Sequence, residues 1–111
     1  MITGGLGFIG SNLAHKLAEL NPEKIVLIDN LAPGLGGNRF NISGLENKVS
    51  FQQIDISDSL IKKFIPETDY IFNLAGSVAH TGTETKKELH NDLKLNLESH
   101  EIFFDYVGEC L

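Results

Sequence analysis

The chain has 111 residues, 41% of them hydrophobic, and carries 9 Lys+Arg against 15 Asp+Glu, a formal charge of −6. That length fits one compact domain, and scattered cations on an acidic chain argue against a nucleic-acid or anionic-membrane surface. A lone cysteine, Cys110, rules out an internal disulfide, no apolar run reaches the ~18–20 residues of a membrane span, and the first residues lack the charged and apolar regions of a secretory leader, so a cytoplasmic protein is expected.

A glycine-rich turn opens the chain, and residues 8–20 then place Ile9, Leu13, Leu17 and Leu20 at helical spacing. Asn21-Pro22 ends that helix, because the residue before proline is driven out of the α region. Residues 24–29 (KIVLID) are short, β-branched and apolar, the pattern of a strand buried on both faces. Residues 31–44 hold four glycines and Pro33 and read as a loop with a short helix over 39–42. Residues 49–54 predict a third strand, with Val49, Phe51 and Ile54 toward apolar neighbours. Ser57 is the expected cap of a helix over 58–65 that Pro66 ends. Residues 69–74 (DYIFNL) form the fourth strand, and 83–107 one long helix with Leu89, Leu93 and Leu97 at i, i+4 and i+8. Tyr70, Phe72, Phe103 and Phe104 read as core or sheet-facing aromatics, and Glu84, Glu88 and Asp92 as a solvated charged face.

Strands alternating with helices at this spacing predict an α/β fold: a doubly wound parallel sheet with right-handed crossovers. Only Met1 to Thr3 precede the glycine turn, where a central strand of five or six residues is expected, and no strand follows the last helix. Residues 1–111 are therefore expected to be one domain cut short at both ends.

The turn Gly4-Gly5-Leu6-Gly7-Phe8-Ile9-Gly10 fits both G-x-G-x-x-G and G-x-x-G-x-x-G. The shared logic is a tight strand-to-helix turn, a backbone bare enough to approach a pyrophosphate, and a helix lying close on the sheet. The helix N-terminus then offers free N–H groups and the positive end of its dipole to phosphates. A P-loop is excluded, since Ser11-Asn12 follow Gly10 instead of Lys-Ser/Thr. A glycine turn alone is common, but Asp29 closes the second strand about 20 residues further on, where a carboxylate accepts from both adenosine ribose hydroxyls. The same charge repels a 2′-phosphate, so NAD is expected over NADP, with Arg39 as the cation that argues the other way.

Thr3-Gly-Gly-Leu-Gly-Phe-Ile-Gly-Ser11 together with Asp29-Asn30-Leu31 closely resembles the extended short-chain dehydrogenase/reductases, and more narrowly their NAD-dependent nucleotide-sugar epimerases and dehydratases. Asp55-Ile56, Asn73-Leu-Ala-Gly76 and Asn96 continue the match in order. The stretch Gly37-Asn-Arg-Phe-Asn41 with Ala75-Gly-Ser-Val-Ala-His80 is similar to the CDP-tyvelose/paratose 2-epimerase branch, with UDP-glucose 4-epimerases the neighbouring comparison. The resemblance implies that Gly4, Gly7 and Gly10 form the pyrophosphate turn, with the N–H groups of Phe8 and Ile9 on the phosphates. It further implies that Asp29 holds the ribose with Asn30 beside it, and that Asp55 and Ile56 contact the adenine. Leu74, Ala75 and Gly76 would line the middle of the cofactor, and Asn96 would support the site from its helix. Bland alternatives stand beside these: Asp55 as a turn or cap residue, and Asn96 as a polar helix position.

In that family, hydride chemistry relies on a Ser/Thr and a Tyr-x-x-x-Lys pair. Here Tyr70 is followed four residues later by Leu74 and Tyr106 by Cys110, so no catalytic residue is assigned. The resemblance places that machinery, and the nucleotide-sugar pocket, beyond Leu111. His15, His80, His90 and His100 recur at intervals that do not share a helix face, so they read as solvated or partly buried histidines and no metal is expected. Ser77 and His80 follow the fourth strand and read as ordinary loop residues. The leading expectation is a partial Rossmann-type NAD(P)-binding domain with strand order 3-2-1-4, the NAD-binding portion of a nucleotide-sugar epimerase or dehydratase, with a homodimer through the long helix. A non-catalytic dinucleotide-binding protein and an inert remnant remain the alternatives.

Overall fold

The computed structural model describes residues 1–77 and 85–111; His80, Thr83 and Glu84, singled out above, lie outside the described residues. Four parallel strands, β1 (Ile2–Thr3), β2 (Val26–Ile28), β3 (Ser50–Gln52) and β4 (Phe72–Asn73), form one sheet in the order β3-β2-β1-β4. This is the expected 3-2-1-4 order. Ile2 lies opposite Leu27 on one side and Phe72 on the other, so β1 is central. The strands are shorter than their apolar runs, because ladder pairing extends only as far as the neighbouring strand offers partners.

β2 shows how the sheet is covered on both faces. Ile25 and Leu27 point into a core with Ile2, Leu6, Ala14, Ala18, Ile42 and Leu45. Val26 and Ile28 point the other way, to Ile56, Ile61, Ile65 and Phe103. The strand alternation of side chains thus feeds two separate cores, the arrangement of a doubly wound sheet.

Helix α1 (Phe8–Glu19) has the expected extent, but its buried face is not the leucine stripe. Gly10, Ser11, Ala14 and Ala18 are buried, Leu13 and Leu17 flank them, and Ile9 and Leu20 are exposed. Small side chains face the sheet because the helix lies close on it. Residues 39–42 form the expected short helix, a 3-10 turn over Arg39–Ile42. The predicted 58–65 helix is a 3-10 turn over Ser59–Lys63, and its cap is Asp58, which accepts from the Leu60 N–H at 2.9 Å. Ser57 is not the cap, since its hydroxyl is committed to Asp55.

The long C-terminal helix is a composite of α2 (Lys86–Leu93), a π-helical turn over Lys94–Glu98, and α3 (Ser99–Cys110). Thr85 and Glu88 form a capping box at its start. Ser99 and Phe103 face the sheet, whereas Leu89, Leu93 and Leu97 are exposed. Among the aromatics, Phe103 is fully buried, but Phe104 and Tyr70 are exposed. Phe104 lies one residue, about 100°, around the helix from Phe103, and Tyr70 precedes β4 at the end of the sheet away from the glycine turn.

The close seating of α1 makes a sharp test. A Cβ on Gly10 would lie 2.2 Å from the Gly4 carbonyl oxygen, and the obstacle is backbone. A Cβ on Gly108, also within a helix, meets nothing within 4 Å. Gly108→Ala is expected to stabilise the protein by roughly 0.5 kcal/mol, and Gly10→Ala to destabilise it by at least about 1–3 kcal/mol, both read by urea unfolding.

Candidate functional site

The carboxyl ends of all four strands converge on one cleft of about 450 Å³. It sits where the strand order reverses between β1 and β4, the switch point at which open parallel sheets bind ligands. Gly4, Gly7, Phe8, Ile9 and Gly10 contribute the turn, and Asp29 and Asn30 follow β2. Asp55 and Ile56 follow β3, and Leu74, Ala75 and Gly76 follow β4. Of the residues expected from the sequence to hold the cofactor, all but Asn96 line this cleft.

The glycine turn is enforced by its neighbours. Gly4 has φ +63°, and a Cβ there would fall 2.7 Å from the Leu74 carbonyl oxygen and 2.8 Å from the Ala75 nitrogen. Thr3, fully buried, ties the same strands together: its hydroxyl donates to Asn73 Oδ1 at 2.6 Å and accepts from the N–H groups of Leu74 and Ala75. Gly7 then caps α1 without a side chain, and no acidic residue occupies the first turn. The first N–H groups of a helix have no intrahelical partner, so the positive end of α1 opens into the cleft.

Asp29 sits one residue past β2, and its N–H still donates to Gln52 O. Its Oδ2 accepts from the Leu6 N–H at 3.0 Å and its Oδ1 from the Leu31 N–H at 2.9 Å. Each oxygen keeps an acceptor position for a further donor. Leu31 has φ +54°, costly for a bulky residue, and Asp29 helps hold it there. Gly37 closes on the carboxylate, since a Cβ at that position would be 3.1 Å from Asp29 Oδ1. Arg39 is engaged elsewhere, its guanidinium lying 4.8 Å from the centre of the Phe51 ring.

Asp55 is the second carboxylate of the cleft. Its Oδ1 accepts from the Ser57 N–H at 2.9 Å and the Ser57 hydroxyl at 2.7 Å, and its Oδ2 accepts from Asn30 Nδ2 at 2.7 Å. Partial burial opposes its ionisation, but the Ser57 and Asn30 hydrogen bonds, with the Lys94 charge, outweigh that and hold the carboxyl below its ordinary value.

Asn96 lies behind the cleft wall. Its Oδ1 accepts from the Ser77 N–H at 2.7 Å and its Nδ2 donates to the Ser77 carbonyl at 2.9 Å, so it clasps the loop after β4. Leu95 and Ser99, from the π turn and the start of α3, also line the cleft, as do Ala32, Leu35 and Gly36 of the glycine-rich loop. Sequence reasoning missed these, and the only signal for the loop was its glycine content. His15 bonds the Asn41 carbonyl and His100 the Asn73 amide, so both are tied into the fold.

This architecture defines a Rossmann-type nucleotide-binding domain. The model of the NAD dependent epimerase/dehydratase family matches residues 1–99, and the chain belongs to that family. The dTDP-glucose 4,6-dehydratase of Mycobacterium tuberculosis is 31% identical over 77 residues, 68% of this chain and 23% of that protein. Among solved structures, the epimerase Mth375 of Methanothermobacter thermautotrophicus is 30% identical with a TM-score of 0.76, covering 95% of this chain and 30% of that one. The Bordetella bronchiseptica enzyme WbmF, solved in complex with NAD+, is 27% identical with a TM-score of 0.79, covering 96% and 31%. The chain therefore spans about a quarter of the curated relative's length and under a third of the solved chains.

The Asp55 cluster predicts a pH dependence. A carboxyl held below its ordinary value of 3.8 stabilises the fold above that value, and the contribution disappears as pH falls through the folded value. Asp55→Asn is expected to cost under about 1 kcal/mol at neutral pH, discounted for exposure, with the difference from wild type closing on acidification. Urea unfolding across pH 2–7 checks it.

Proposed function

We propose that the cleft binds NAD and that the chain is the cofactor-holding part of a nucleotide-sugar epimerase or dehydratase. The observation that carries this reading is the meeting of an uncapped helix N-terminus with two partly satisfied carboxylates around one opening. The pieces fit a dinucleotide. Gly7 adds to this: it lines the cleft, and a Cβ there would lie 3.3 Å from the Gly4 carbonyl oxygen, a tight approach to backbone, so a bare turn serves both the packing and a closely approaching pyrophosphate.

In this reading the N–H groups of Phe8 and Ile9 hold the pyrophosphate. The two remaining acceptor positions on Asp29 take the two ribose hydroxyls, and its charge disfavours a 2′-phosphate. Asp55 accepts from the adenine amine, Asn30 and Ile56 flank the adenosine, and Leu74, Ala75 and Gly76 line the middle of the cofactor while Asn96 fixes their loop. Bound NAD supplies reversible hydride acceptance from a sugar carbon. No residue of this chain is assigned a catalytic role: Tyr106 Oη is bonded to the Ser57 carbonyl, and Tyr70 lies at the other end of β4. A nucleotide sugar is the proposed substrate of the whole enzyme, and the cytoplasm, where a lone cysteine stays reduced, its proposed compartment. The net charge of −6 supports a reading without nucleic-acid or membrane partners.

Calorimetric titration is expected to show NAD binding with NADP weaker. Asp29→Ala is expected to weaken NAD by about tenfold or more and to narrow the preference over NADP. Tighter binding of NADP by the wild type, or no binding of NAD, overturns the proposal.

We also propose that the chain pairs with a second copy through the outer face of the long helix. Leu89, Leu93 and Leu97 are 56%, 48% and 60% exposed there, an apolar row with no cover within the described chain. Wild-type protein is expected to sediment as a dimer, and the Leu93→Glu, Leu97→Glu double variant as a monomer with unchanged circular dichroism.

A further inference from the structure

We infer that Ser57 is a positioning residue for base recognition: it saturates one oxygen of the Asp55 carboxylate so that the other faces the cleft with a single acceptor position left. The inference rests on the NAD reading above, and it concerns a residue that does not line the cleft.

An ionised carboxylate offers about four acceptor positions, two on each oxygen. Ser57 fills both on Oδ1, with its N–H at 2.9 Å and its hydroxyl at 2.7 Å. Asn30 fills one on Oδ2, at 2.7 Å. Among the described residues no other donor reaches Asp55, so the vacancy is on Oδ2, beside Asn30, in the wall of the cleft. Ser57 is itself anchored from behind. The Tyr106 hydroxyl on α3 donates to the Ser57 carbonyl at 3.1 Å, and the Tyr106 ring is pinned beneath the Lys62 ammonium at 4.4 Å. A chain of contacts therefore runs from α3 through Ser57 to the cleft carboxylate and fixes its rotation.

A carboxylate held this way selects by donor and acceptor. It accepts a hydrogen bond from the exocyclic amine of adenine, and it repels the carbonyl oxygen that hypoxanthine carries at the same position. Without the Ser57 hydroxyl, Oδ1 has a free position, the carboxylate has two ways to turn, and the selection weakens. Adenine recognition by this site thus depends on a hydroxyl that never touches the base.

The test compares NAD with nicotinamide hypoxanthine dinucleotide by calorimetry, in wild type, Ser57→Ala and Ser57→Thr, alongside a carbon-13 titration of the Asp55 carboxyl without ligand. Wild type is expected to prefer NAD by about ten- to a hundredfold. Ser57→Ala is expected to lose most of that preference through weaker NAD binding, and its Asp55 midpoint to rise toward the ordinary 3.8. Ser57→Thr, which keeps the hydroxyl, is expected to restore both. A Ser57→Ala protein that unfolds at the wild-type midpoint but keeps the full preference and an unmoved Asp55 titration overturns the inference. So does a wild type that binds both dinucleotides equally, which leaves the NAD reading intact. A wild type that binds neither overturns that reading and this inference together. Should Ser57→Ala fail to fold, the Ser57→Thr titration and the wild-type preference decide: a displaced Asp55 midpoint in Ser57→Thr, or no preference in wild type, overturns it.

Discussion

The approach of Gly10 to Gly4 is the constraint on which the cleft depends. With 2.2 Å between an ideal Cβ and the Gly4 oxygen, α1 can start where it does only if residue 10 has no side chain. The same turn is pressed from the other side by Leu74 and Ala75, which meet Gly4 at its positive φ. Three backbone segments therefore touch at one point: the end of β1, the start of α1 and the loop after β4. Thr3 locks that contact by bonding both N–H groups of the β4 loop. The result is a helix N-terminus set at the centre of a strand-end cleft, with no room for it to drift.

Electrostatics divides the cleft. Its centre carries the positive end of α1, which has neither a capping side chain nor a first-turn acid to neutralise it. Its β2–β3 side carries Asp29 and Asp55, each already holding backbone or side-chain donors of its own chain. An anionic group is favoured in the centre, and hydroxyl or amine donors are favoured at the carboxylates. Donors set in place in advance favour the ionised form of a carboxylate. Asp55 shows this directly, being held below its ordinary value although partly buried.

Residues whose chemistry is explicit were legible in the sequence: glycines that permit contact and carboxylates at strand ends, whereas the clasp of Asn96 on Ser77 appears only in the fold. The parallel sheet followed from the alternation of short apolar runs with helices. Faces were harder to read. The apolar row of α1 has helical spacing, yet the residues the helix buries most deeply are Gly10, Ser11, Ala14 and Ala18, with only Leu13 and Leu17 of the row packed beside them. Hydrophobic periodicity weighs side-chain size, whereas close packing of a helix on a sheet selects for its absence. Ser57 was read as a cap because its spacing to Pro66 suits one, but its hydroxyl has a carboxylate two residues back and Asp58 is free to cap instead. Leu89, Leu93 and Leu97 had the right period, and the chain's own sheet takes the other side of their helix.

That last difference has a structural cause in the π turn at Lys94–Glu98. A π turn adds one residue to a helical turn, so it shifts the phase of everything after it by about 100° relative to an unbroken α-helix. The Ser99 hydroxyl and N–H both reach back to the Lys94 carbonyl, five residues away, and so hold the wide turn open. The shift lets Leu95 and Ser99 line the cleft while Asn96 turns onto Ser77, and it carries Phe103 into the core under β2. The period of Leu89, Leu93 and Leu97 crosses the turn without registering it, because the irregularity is written in the backbone and in one serine, not in the pattern of apolar residues.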